Sequence, residues 1–167
     1  MSLSMSQASI PVLARVLGNL SAILDKAVAD AEARKIDPAV FLNARLAPDM
    51  HPLVRQVQIV SDAAKGCVAR LAGVETPSFP DTETSFPELK ERLAKTIAFV
   101  QSIPAGQIDG SEAKAIKLTF PGGEFAFTGQ DYLFNFAMPN VYFHTTTAYA
   151  ILRHNGVPIG KRDFLGG

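Results

Sequence analysis

The sequence predicts an all-α four-helix bundle with a long crossover and a small β-hairpin flap. Three observations carry this. Apolar residues recur at three-and-four spacing in four separate stretches. A segment with two prolines and three threonines over residues 75–84 separates the second stretch from the third. Two short alternating runs flank Gly122-Gly123 just before the fourth.

In chain order, Leu13, Val16, Leu17, Leu20, Leu24, Ala27, Val28 and Ala31 place a first long helix from Ser9 to about Ala33. Ser9 reads as its cap, with Pro11 in the first turn. Arg34-Lys35 closes it with the positive charge that a helix C-terminus favours. Asp37-Pro38 then opens a short helix through Leu42, because Asp caps and Pro suits the first helical position.

The second long helix opens near Met50 to Pro52 and runs to about Leu71, with Asp49 read as its cap and Gly73 as its stop. Cys67 falls within its apolar stripe and reads as a small buried hydrophobe. Ser85 and Glu88 form a capping-box pattern for the third helix, whose stripe of Leu89, Leu93, Ile97 and Val100 ends at Ser102. Ile116, Leu118 and Phe120 alternate with Lys117 and Thr119, and Phe125 with Phe127. This gives two strands, too few for a sheet domain, so they lie as a flap on the bundle.

The last helix starts at Thr128 with Asp131 as capping partner and runs to about His154, with Pro139 splitting or kinking it. Asn155-Gly156 stops it. The tail then crosses the bundle through Ile159, Phe164 and Leu165.

Composition narrows the function classes. The 167 residues suit one domain, 1–167, and 47% of them are hydrophobic against 19% charged. Sixteen basic residues balance sixteen acidic ones, so no basic field exists to gather a nucleic acid. One cysteine excludes an intrachain disulfide. No basic residue precedes the first apolar stretch, and Asp25 and Asp30 break its continuation. The expectation is a cytoplasmic protein with neither a signal sequence nor a membrane span.

Candidate chemistry is sparse. The three histidines, His51, His144 and His154, lack the spacing of paired metal ligands, and no glycine-rich phosphate loop occurs. His51 reads as an exposed or capping residue, and His154 as a cation suited to its helix end. Asn140 and His144 lie one turn apart on the last helix, with Tyr149 nearby. The second long helix offers Gln56, Gln58 and Asp62, of which Gln58 and Asp62 share a face. His144, Asn140, Gln58, Asp62 and Tyr149 are therefore the candidate ligand-binding residues. The set reads as a polar pocket for a small molecule, or as a hydrogen-bond network that fixes helix register. One imidazole and two carboxamides make a weak donor set, so no metal is favoured. Any ion would be zinc or nickel on His144, Asn140 and Gln58.

Several motifs together carry a resemblance: Asn43-Ala44-Arg45-Leu46-Ala47-Pro48-Asp49-Met50, Arg55-Gln56-Val57-Gln58, Phe127-Thr128-Gly129, Tyr142-Phe143-His144, Thr146-Thr147-Ala148-Tyr149 and Leu152-Arg153-His154-Asn155-Gly156-Val157-Pro158. Over nearly its whole length the chain resembles a bacterial family of unknown function within the DinB/YfiT-like superfamily. That resemblance implies an up-down-down-up bundle, often a homodimer. Many such relatives bind a divalent metal through three histidines, and some are thiol transferases or thiol-dependent isomerases. Aligned on the end of the last helix, His144 falls on one metal-histidine position and Asn140 on or beside another. The helix-two position falls at or near Gln58.

Only one of the three histidines is thus kept, and any thiol would come from outside the chain. Three functions follow as expectations. The first is a small-ligand-binding bundle with its pocket around His144, between helix two and the last helix. The second is a metal- or thiol-dependent transferase or isomerase. The third is a noncatalytic dimeric structural or interaction protein.

Overall fold

The computed structural model describes residues 3–167, so Met1 and Ser2 of the expected domain lie outside the described residues. Helix α1 (Met5–Arg34) starts earlier than the apolar spacing suggests. Ser4 and Gln7 form a reciprocal capping box, and Ser9 instead lies buried inside the helix, donating to the Met5 carbonyl at 2.7 Å. Pro11 is consequently an interior residue. Lys35 ends the helix in the left-handed conformation (φ 55°), with Ile36 N–H bonded back to the Ala31 carbonyl.

Helix α2 (Pro38–Asn43) is capped by Asp37 as its sequence predicts. Helix α3 (Leu53–Ala72) is not capped by Asp49. The extended backbone of Pro52 precedes the first turn, and Leu53 N–H reaches the Ala44 carbonyl instead. Helix α4 (Phe86–Ser102) carries the expected Ser85–Glu88 capping box. A short α5 (Ala105–Ile108) interrupts the connection to strands β1 (Ala115–Phe120) and β2 (Gly123–Thr128). These pair antiparallel around Pro121-Gly122, with Phe120 opposite Gly123.

The last helix is continuous from Gly129 to His154 and has three parts. These are α6 (Gly129–Asp131), a π-helical stretch (Tyr132–Ala137) and α7 (Met138–His154). Thr128 caps it through Asp131 N–H. The wide π turns directly precede Pro139, so the missing amide is absorbed by a local change of helix type rather than by a break. A Cβ on Gly129 would overlap the Ser111 carbonyl oxygen, so only glycine lets the hairpin's base close onto this helix. Short α8 (Lys161–Leu165) lies on α1 through Asn19 and Arg15, which donate to the Phe164 and Leu165 carbonyls. Ile159 is buried as expected, whereas the Leu165 side chain stays exposed.

The four long helices form the DinB-like up-down-down-up bundle, in which α1 packs on α4 and α3 packs on both α4 and the last helix. By length and composition α1 is apolar enough to cross a membrane, yet Leu13, Leu17, Leu20, Ile23, Leu24 and Ala27 are fully buried in the bundle core. Cys67 is also core, and burial pushes its thiol up to about 12.

The parallel pair α3 and α4 requires the long crossover, and a buried arginine ties that crossover down. The Arg92 side chain is 2% exposed. Its guanidinium meets Asp62 of α3 at 2.8 Å, Asp81 and Glu83 of the crossover at 3.0 Å each, and the Pro80 carbonyl at 3.1 Å. Buried Lys65 pairs with Asp62 and lies 4.6 Å from the Phe79 ring centre, while Arg55 pairs with Asp81. Burial alone would raise the Glu83 carboxyl, but hydrogen bonds from Gln58 and Arg92 hold it below the usual range. Removing the arginine leaves these carboxylates together without their shared cation. Arg92→Ala is expected to lower unfolding free energy by about 3 kcal/mol in urea titrations and to expose residues 74–85 to proteolysis. A loss below about 1 kcal/mol would show that the cluster is not what holds the crossover.

Candidate functional site

One face of α3 looks toward the last helix and meets the Arg92 cluster at its edge, through Asp62. Ile59, Asp62, Ala63, Gly66 and Arg70 recur on it at helical spacing. Tyr132, Phe136, Ala137 and Asn140 face it from the last helix, and Leu118 and Phe120 of β1 cover it. The cleft between them has a volume of about 190 Å³. Its aromatic wall is continuous. Tyr132 and Phe136 stack with ring centres 5.9 Å apart, and Phe120 lies 5.9 Å from Phe136. Tyr132 and Phe136 both lie in the π stretch, four residues apart, and so share one side of the last helix.

Arg70 donates to the Tyr132 hydroxyl at 3.0 Å. Burial, more than any neighbouring charge, pushes the Tyr132 phenol up to about 12, so it keeps its proton through the neutral range. Asn140 donates to the Phe136 carbonyl at 2.7 Å, occupying an acceptor next to the proline-broken ladder.

The sequence-derived candidates separate into four places. Asn140 and Asp62 line the cleft. Gln58 donates to Glu83 at 2.9 Å and belongs with the Arg92 cluster, as does the ion-paired carboxylate of Asp62. His144 lies one turn beyond Asn140, where its Nδ1 meets Gln56 Oε1 at 2.7 Å. Tyr149 is half-buried, its ring edge-on to Phe164. The partner of His144 is therefore Gln56 rather than Gln58. Arg70 and Arg92 were missed, because on their helices each reads as an ordinary exposed cation. Gly66, four residues before Arg70, is the one local signal in the sequence.

The His144 geometry fixes its tautomer. Gln56 uses its amide nitrogen to donate to the His51 carbonyl at 3.0 Å, so its oxygen accepts from His144. Nδ1 carries the proton and Nε2 the lone pair. Burial first, and then electrostatic interaction with His51 and Arg55, holds His144 below its ordinary value.

The metal expected of many superfamily relatives does not fit these residues. Gln58 is spent on Glu83 and Arg55, Asn140 on a helix carbonyl, and one ring nitrogen of His144 on Gln56. Among the described residues no three His, Cys, Asp or Glu side chains group as metal ligands.

A family model described as a domain of unknown function (DUF1993) matches residues 5–165. The chain belongs to the DUF1993 family. The DUF1993 fold is also that of a crystal structure described as a DinB family member protein from Shewanella denitrificans. That protein is 42% identical, with a TM-score of 0.89 over 97% of this chain and 92% of that one. Among curated proteins none matches. The resemblance read from the motifs is thus met at the level of family and superfamily.

A pH dependence follows from His144. As pH falls through 6.5, the unfolded chain takes up this proton before the folded one does. Stability from this residue is complete above that pH, declines below it, and levels off once the folded imidazole protonates. Melting temperatures of wild type and His144→Gln, measured from pH 8 to 4.5, are expected to show a shallower decline in the variant below 6.5. Parallel curves would refute the burial of a neutral imidazole.

Proposed function

We propose that this protein is a small-ligand-binding bundle whose site is the cleft between α3 and the last helix, beneath the hairpin. The observation that supports this is the cleft itself. It has an aromatic wall, a free face of α3 opposite, and Asp62, Arg70, Tyr132 and Asn140 as its polar groups. At about 190 Å³ it is smaller than the ~300–1,000 Å³ of drug-sized sites, so the reading is a ligand of single-ring size. His144 enters this reading as a positioning residue. Its bond to Gln56 joins the last helix to the start of α3 one turn beyond the cleft. A zinc- or nickel-dependent transferase draws no support from the donor set.

The test is a blocked cleft. Ala63→Phe places a ring into the space between α3 and Phe136 while leaving every named hydrogen bond intact. Single-ring compounds that raise the wild-type melting temperature by about 3 °C at tenfold excess over Kd are expected to lose that effect in the variant. Compounds that stabilise both proteins equally would place the site elsewhere.

A second reading concerns assembly. The family resemblance implies a homodimer, and one face supports it. Where α1 meets the last helix, Leu3, Val12, Phe134, Pro139 and Tyr142 line a long apolar groove that continues to Phe164. Leu3 is 72% and Phe134 47% exposed, and Arg15 is the one charged residue along the groove among the described residues. A face this apolar and uncharged suits a second copy of the same chain. Sedimentation at micromolar concentration is expected to give a dimer for wild type and a monomer for Tyr142→Glu. A monomeric wild type would remove this reading.

A further inference from the structure

We infer that the cleft takes a small ligand with a flat apolar body and a carboxylate, the carboxylate seated on Arg70 and the Tyr132 hydroxyl. This rests on the cleft being a ligand site and adds the chemical class of what it holds.

Charge balance is the first support. Asp62 lines the same cleft, but its charge is met by Lys65 and Arg92. Arg70 has no carboxylate partner among the described residues, and its one hydrogen bond goes to a neutral phenol. Asp62 and Arg70 are eight residues apart on α3, about 12 Å along the axis. The cleft therefore has a neutralised end and an end with one uncompensated positive charge.

The guanidinium is also held in place. A Cβ on Gly66 would overlap Arg70 Nη1, so this glycine is what lets the side chain fold back against its own helix. Its position is then set by the Tyr132 hydroxyl at 3.0 Å. Because that oxygen accepts from Arg70 and the phenol stays protonated, its hydrogen is available to a second acceptor. A guanidinium edge and a phenol O–H side by side form a two-donor seat for a carboxylate. The ring stack of Tyr132 and Phe136 continues from this seat, with Ile59 and Ala63 opposite, and matches a planar body.

The test titrates the full chain with benzoate and with benzamide, which has the same shape and no charge, following backbone amides by heteronuclear NMR. Benzoate is expected to shift the amides of Ile59, Ala63, Arg70 and Phe136 and to bind at least about tenfold tighter than benzamide. Arg70→Gln is expected to abolish that preference, and Arg70→Lys to keep only part of it because the fork is lost. Gly66→Ala, which displaces the guanidinium without removing its charge, should also weaken benzoate and covers the case in which the Arg70 variants do not fold. Equal binding of the two probes at the cleft, or benzoate affinity unchanged in Arg70→Gln, overturns the carboxylate assignment and leaves the cleft reading standing. No shift of cleft amides with either probe at millimolar concentration overturns both.

Discussion

A single guanidinium determines how this bundle can be connected. Joining two parallel helices requires a strap running the length of the fold, and residues 74–85 form no helix or strand that would stabilise it. Arg92 supplies what backbone pairing does not, because one planar group reaches α3 through Asp62 and the strap through Pro80, Asp81 and Glu83. Taking that cation and Lys65 out of water is costly. The arrangement is sustained because three carboxylates, a carbonyl and the Phe79 ring converge on them.

Fixing one side of α3 has a consequence for the other. With Gln58 and the ion-paired Asp62 drawn toward α4 and the crossover, the face carrying Ile59, Ala63, Gly66 and Arg70 is left to the last helix. There Tyr132 and Phe136, four residues apart in the π stretch ahead of Pro139, stack on one side of the last helix, while β1 covers the gap. The cleft therefore lies between an ionic cluster, with which it shares Asp62, and an aromatic stack on the last helix. The His144–Gln56 bond joins the same two helices one turn further along.

The fold was legible where physics is local. Ser85 with Glu88, Asp37 with Pro38, Gly73 and the glycine-containing turn between the strands each act within a few residues, and each stands where the spacing places it. The start of α1 was not legible, because Gln7 rather than Glu completes its capping box and Ser9 offered a more familiar signal. Nor was the role of Arg92, whose partners lie up to thirty residues away. The candidate site was half legible for the same reason. Periodicity put Asn140 and His144 on one face, yet it could not choose between Gln56 and Gln58, which differ by about 200° around the helix. Arg70 depends on a glycine one turn earlier and a tyrosine on another helix, a relation only the packed molecule reveals.

The space between α3 and the last helix is proposed as a ligand site and not a packing gap. Crystals soaked with a set of single-ring compounds test it most directly. Ordered density is expected between Ala63 and the Phe136 ring, under Phe120, with the Arg92 cluster unchanged. Density confined to the groove between α1 and the last helix, with the cleft closed by Phe120 or filled only by water, would contradict it.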